Sequence, residues 1–136
     1  MFRDARRTGA RVRNLIPFIV LATFVGIASA ADVEKITFQN DLSACVAIKE
    51  TKTATASNVV LANTTIQLRK PIGECGCLSA LATYTSSVNR AGVRQILQEG
   101  LVGLKSGGEK SLVLATEPAL VTNKAVQVRL ACAGPS

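Results

Sequence analysis

The chain has 136 residues, four cysteines, no histidine and no tryptophan, and 16 basic against 9 acidic side chains for a formal charge of +7. The missing histidine removes the commonest general base and a principal metal ligand, which argues against triad-type nucleophilic catalysis and against ordinary zinc or copper centres. Five of the basic residues, Arg3, Arg6, Arg7, Arg11 and Arg13, stand in the first thirteen positions, so most of the excess charge belongs to the leader.

That leader reads as a secretory signal. The arginines are followed by an almost unbroken apolar run over residues 15–27, and Ala28-Ser29-Ala30 supplies the small-x-small pattern at which cleavage between Ala30 and Ala31 is expected. The apolar run carries Pro17 and Gly26 and ends at Asp32, so it is short for the roughly 20 residues that a membrane span needs. Ala31 stands where a lipoprotein has cysteine, and Thr8-Gly9 follows Arg6-Arg7 where a twin-arginine signal has an apolar residue, which favours the general secretory route. Residues 1–30 are therefore assigned to a signal-peptide helix and 31–136 to one periplasmic or secreted domain with no membrane attachment after cleavage. Eleven basic and eight acidic residues remain in that domain, a net of about +3, scattered and without stacking aromatics, so no nucleic-acid surface is expected.

From Glu34 onward, short β-branched stretches alternate with turn residues. Lys35-Ile36-Thr37-Phe38 precedes Asn40-Asp41, and Cys45-Val46-Ala47-Ile48-Lys49 precedes a threonine-rich run over residues 51–55 and the turn residues Ser57-Asn58. Val59-Val60-Leu61 and Thr65-Ile66-Gln67-Leu68 are read as two strands separated by Ala62-Asn63-Thr64 and closed by Lys70-Pro71. Residues 93–104 fit a helical stripe of Val93, Ile96, Leu97, Leu101 and Leu104, but Gly100 and Gly103 each cost a helix about 1 kcal/mol, and a strand is preferred. Ser106-Gly107-Gly108-Glu109 reads as a hairpin tip leading into Ser111-Leu112-Val113-Leu114-Ala115. Residues 125–132 give the clearest period of two, with Val126, Val128, Leu130 and Cys132 on one face. About seven strands, a single core and no βα alternation predict an all-β fold, an antiparallel immunoglobulin-like β-sandwich.

Only Phe38 and Tyr84 are aromatic after residue 30, so the core must be built from smaller side chains that each bury less apolar area. An exported chain with so thin a core is where covalent crosslinks are expected, and Cys45, Cys75, Cys77 and Cys132 provide for two disulfides. A Cys75–Cys77 bridge would be strained across Gly76. If Cys75 and Cys77 begin a strand they share a face, and Cys45 and Cys132 each take one of them; which takes which is left open. The resulting loops of about 30 and 55 residues should each contribute about 3 to 4 kcal/mol in the chain-entropy model.

The alternative chemistry for Cys75 and Cys77 is thiol redox or metal handling. Against it, the spacing is Cys-x-Cys where the dithiol oxidoreductase motif is Cys-x-x-Cys, and no metal or other cofactor is expected. Gly-x-Ser-x-Gly is absent and the carboxylates form no pair, so no catalytic residues are assigned. Asn63-Thr64-Thr65 matches the glycosylation pattern but is read as a turn asparagine, and Tyr84 is read as a core residue on the same face as Leu78, Ala80 and Ala82.

Asn40-Asp41-Leu42-Ser43-Ala44-Cys45-Val46, Lys70-Pro71-Ile72-Gly73-Glu74-Cys75-Gly76-Cys77-Leu78-Ser79-Ala80, Tyr84 and Leu130-Ala131-Cys132 together resemble a family of small exported bacterial proteins known only as a domain of unknown function. The resemblance implies bacterial export and carries no activity. The expectation is a non-enzymatic binding or structural module with an unidentified envelope or extracellular protein partner, working through a sheet edge or the loops at one pole. A pilus-type subunit is disfavoured because Cys132 pins the last strand.

Overall fold

The computed structural model describes residues 33–134; the expected signal peptide and its Ala30–Ala31 junction lie outside them. Seven strands form two sheets. β1 (Lys35–Asn40), β7 (Ala125–Cys132), β4 (Leu81–Arg90) and β5 (Val93–Gly103) make a four-stranded sheet in the order β1-β7-β4-β5. β2 (Val46–Ala56), β3 (Val59–Leu68) and β6 (Gly108–Ala115) make a three-stranded sheet in the order β2-β3-β6. The chain is thus an all-β sandwich, and its four-plus-three division is compatible with the immunoglobulin-like class.

Alternating side chains from both inner faces fill the space between the sheets. Val60, Ala62, Leu112, Leu114, Val126, Val128, Leu130 and Val88 are all buried, as the period-two reading of residues 125–132 requires. Tyr84 is buried as well, but Leu78 and Ala80 precede β4, and Leu78 lies in the open instead of sharing the tyrosine's face. The Tyr84 hydroxyl accepts the Val113 N–H at 2.9 Å, and the Ser86 hydroxyl donates to the Leu114 carbonyl. Two side chains of β4 thereby satisfy the outer edge of β6 in the opposite sheet, which ties the layers together and covers that edge. Gly100 makes room for the tyrosine, since a Cβ there would stand 2.6 Å from its ring.

Several local expectations are corrected. The sandwich is not antiparallel throughout, because β1 runs parallel to β7, from Lys35 opposite Ala125 to Asn40 opposite Leu130. The chain leaves β1 for the other sheet at once: the Asn40 side chain accepts from Leu42 N–H and donates to the Val46 carbonyl, so β1 has no hairpin partner and lies beside the last strand. The threonine run and Ala62-Asn63-Thr64 interrupt nothing. They lie inside one long β2–β3 hairpin, where Thr64 is buried against the Thr51 hydroxyl and Asn63 accepts from Ser111 on the open face. The glycine pair at 107–108 is no hairpin tip, because β5 and β6 belong to different sheets. Gly107 is needed where a Cβ would stand 2.8 Å from the Ile66 carbonyl, and Gly108 has φ +117°.

The segment in doubt is a strand, β5. Its helix-like spacing arises from a bulge: Gln98 opposes Ser86 and Ile96 opposes Ser87, which leaves Leu97 as an extra residue. Two hairpin turns have both central residues at positive φ, as right-twisted strands prefer. Ser57 and Asn58 (48° and 67°) join β2 to β3, and Ala91 and Gly92 (51° and 81°) join β4 to β5.

Alanine is poorly suited to φ +51°, whereas asparagine tolerates it and forms the favoured Asn-Gly turn. Ala91→Asn should therefore stabilise the fold by about 0.5 to 1 kcal/mol, read as a higher urea midpoint at unchanged slope.

Candidate functional site

The cysteines meet at one pole. Cys45 bonds Cys75 with a Cα separation of 6.2 Å, and Cys77 bonds Cys132 with 5.2 Å. Cys45 immediately precedes β2 in the three-stranded sheet, and Cys132 ends β7 in the four-stranded sheet. Cys75 and Cys77 both belong to the crossover between β3 and β4, so one short segment is bonded to both layers.

The local route differs from the expectation that Cys75 and Cys77 begin a strand. Pro71 leads into a 3₁₀ turn, Ile72–Cys75, and Gly76 at φ +92° reverses the chain, with its N–H on the Gly73 carbonyl. Cys77 N–H returns to the Ile72 carbonyl. The left-handed glycine, not alternation along a strand, is what separates the two sulfurs toward different partners. The Arg69 N–H bonds the Cys45 carbonyl and the Arg69 guanidinium bonds the Ser43 carbonyl, which adds polar ties between the start of this crossover and the β1–β2 connection.

Beside the staples lies a groove of about 430 Å³. Its floor is Ile72, Leu104 and the Cys77 half of one disulfide, all buried. Leu68 and Pro71 form a wall, and Leu78, 78% exposed, stands at the rim. The bond from Leu104 N–H to the Ala80 carbonyl, 2.7 Å, joins the two sides of this floor. Lys70 and Lys105 are the charged lining residues, with no carboxylate among them, and neither ammonium takes part in the two salt bridges found among the described residues, Lys52–Glu50 and Arg129–Asp41. Apolar surface flanked by unpaired positive charge is suited to a molecule with an apolar body and an anionic end.

Sequence reasoning singled out the four cysteines but not the groove. Lys70, Pro71, Ile72 and Leu78 could have been found from their place around Cys-Gly-Cys. Leu104 and Lys105 come from 27 and more positions further on, and only the β5–β6 crossover brings them here.

Each disulfide closes a long loop, 30 and 55 residues in sequence separation, and removing it as a Ser pair should cost about 2 to 5 kcal/mol. Cys45→Ser with Cys75→Ser, and Cys77→Ser with Cys132→Ser, should each fold with a markedly lower urea midpoint. The fourfold variant should be largely unfolded at 37 °C by circular dichroism, because the combined loss is comparable to the roughly 5 to 15 kcal/mol that holds a typical domain.

Among the described residues, no helix is long and apolar enough to cross a membrane. No curated protein and no solved structure matches the chain significantly. The model of one family matches residues 19–135, nearly the whole length and all seven strands. The chain belongs to that family, an uncharacterized protein conserved in bacteria (DUF2195).

Proposed function

We propose that the protein is an exported, non-catalytic binding module whose groove at the stapled pole takes the apolar part of a small anionic amphiphile. Export is supported by the arginine-rich leader with its apolar run and by two long-range disulfides, which persist in oxidising compartments. The observation that carries the binding reading is the groove itself: an exposed leucine over a buried aliphatic floor, with Lys70 and Lys105 at its margin and no acid to neutralise them. Its volume falls within the roughly 300–1,000 Å³ range of small-molecule sites.

A thiol redox or metal-handling role at Cys75 and Cys77 finds less support. The two sulfurs are committed to separate bonds with Cys45 and Cys132, and neither bond is the short Cys75–Cys77 bridge that such a role would use.

Dodecanoate titrated calorimetrically into the oxidised protein should bind saturably, and each methylene removed from the acid should weaken binding about fourfold. Dodecyltrimethylammonium, of the same length and opposite charge, should bind at least about tenfold more weakly. Leu78→Asp should reduce dodecanoate affinity by a similar factor without lowering the melting temperature, because the side chain is 78% exposed. No saturable binding, or affinity indifferent to chain length and to Leu78→Asp, would contradict the proposal.

A further inference from the structure

A sandwich of this kind has four edge strands, here β1 and β5 in one sheet and β2 and β6 in the other. Unpaired edges invite further strands, and proteins guard them by shortness, charge or cover. β1 has only 6 residues, β2 carries Lys49, Glu50 and Lys52, and the outer edge of β6 is covered by Tyr84 and Ser86. β5 is different. It is 11 residues long and bears Val93, Ile96 and Leu101, which are 68%, 58% and 64% exposed. Leu81, another exposed leucine, opposes Gly103 while Leu101 opposes Thr83, which makes the two leucines diagonal neighbours on the outer face.

The charges on this edge are self-complementary. Arg94 and Glu99 are five positions apart, an odd spacing that would send them to opposite faces of a regular strand. The bulge at Leu97 brings them to one face, where both line a concavity of about 300 Å³ with Ile96, Thr85 and Ser87. The Arg94 guanidinium donates to the Ser87 hydroxyl at 2.8 Å, and neither Arg94 nor Glu99 belongs to a salt bridge among the described residues. If a second β5 is laid antiparallel along the first, about a two-fold axis midway between these residues, Arg94 faces Glu99 of the other copy, and the contact occurs twice.

We propose that the protein forms a two-fold homodimer through β5, joining two four-stranded sheets into one of eight strands. The backbone of each edge completes the other's hydrogen bonds, the exposed aliphatic side chains are covered, and the paired Arg94 and Glu99 fix the register. A second copy fits better than a foreign strand because the same few residues supply both halves of the charge pattern.

Sedimentation equilibrium on protein purified from the export compartment, at about 100 µM, should give twice the chain mass. Arg94→Glu alone and Glu99→Arg alone each set like charges opposite one another twice, and each should weaken self-association at least about tenfold. An equimolar mixture of the two variants should dimerise again as a 1:1 heterodimer, because every contact across the mixed pair is once more acid against base. Leu101→Lys should give a monomer with unchanged circular dichroism, since the residue is largely exposed. A monomeric wild type, a mixture that stays monomeric, a dimer that survives Leu101→Lys, or capture of another protein's strand at this edge in place of self-pairing overturns the proposal.

Discussion

Two covalent bonds anchor a single crossover segment to both layers of the sandwich, and the rest of the molecule is arranged around that constraint. Through Cys75 the segment is held to the start of β2, and through Cys77 to the end of β7. The sheets are not otherwise joined at this pole by a large aromatic core. Among the described residues, Tyr84 is the one aromatic side chain of the buried core, and the rest of that core is valine, leucine, isoleucine and alanine with Cys45 and Cys77. Closing loops of 30 and 55 residues lowers the entropy of the unfolded chain by an amount worth roughly 3.5 and 4 kcal/mol, a large share of the stability of a domain this size. The crosslinks offset what a thin core lacks.

The same bonds explain why an open groove persists beside them. A loop with a leucine projecting into solvent would ordinarily fold down over any neighbouring apolar floor. Here the path of residues 71–77 is fixed by the 3₁₀ turn, the left-handed Gly76 and the two sulfurs, so Leu78 stays at the rim while Ile72 and Leu104 form the base. Preorganisation of this sort reduces the ordering cost of binding. The sheet edges show the opposite economy: the β6 edge is sealed by side chains of β4, while β5 is an edge strand that keeps Val93, Ile96 and Leu101 open. The binding proposed at the pole and the pairing proposed at the edge use different residues.

Much of this was legible in the sequence, for identifiable reasons. The alternation over residues 125–132 reports the inner face of β7 directly, because a strand buried on one face must alternate. An even number of cysteines behind a leader that reads as a secretory signal points to staples whatever the fold. What was not legible depends on non-local placement. Asn63 and the threonines look like turn formers, yet Thr64 is satisfied by Thr51 across the hairpin and Asn63 by Ser111 on β6, neither of which local propensity reports. Parallel pairing of β1 with β7 follows from a connection that changes sheets at Asn40, and the helical rhythm of β5 follows from one extra residue, Leu97. The groove was hidden for the same reason, since Leu104 of its floor and Lys105 of its margin arrive from just beyond the end of β5.

The account rests most directly on which sulfur holds which layer. Electron-transfer dissociation mass spectrometry of the non-reduced protein, cleaved to leave Cys75 and Cys77 on one peptide, assigns both bonds by fragmenting between them. The expected result is Cys45 linked to Cys75 and Cys77 linked to Cys132, with no free thiol. Cys45 linked to Cys77, a Cys75–Cys77 bridge, or two alkylatable thiols would contradict it and remove the fixed crossover on which both the groove and the stability argument depend.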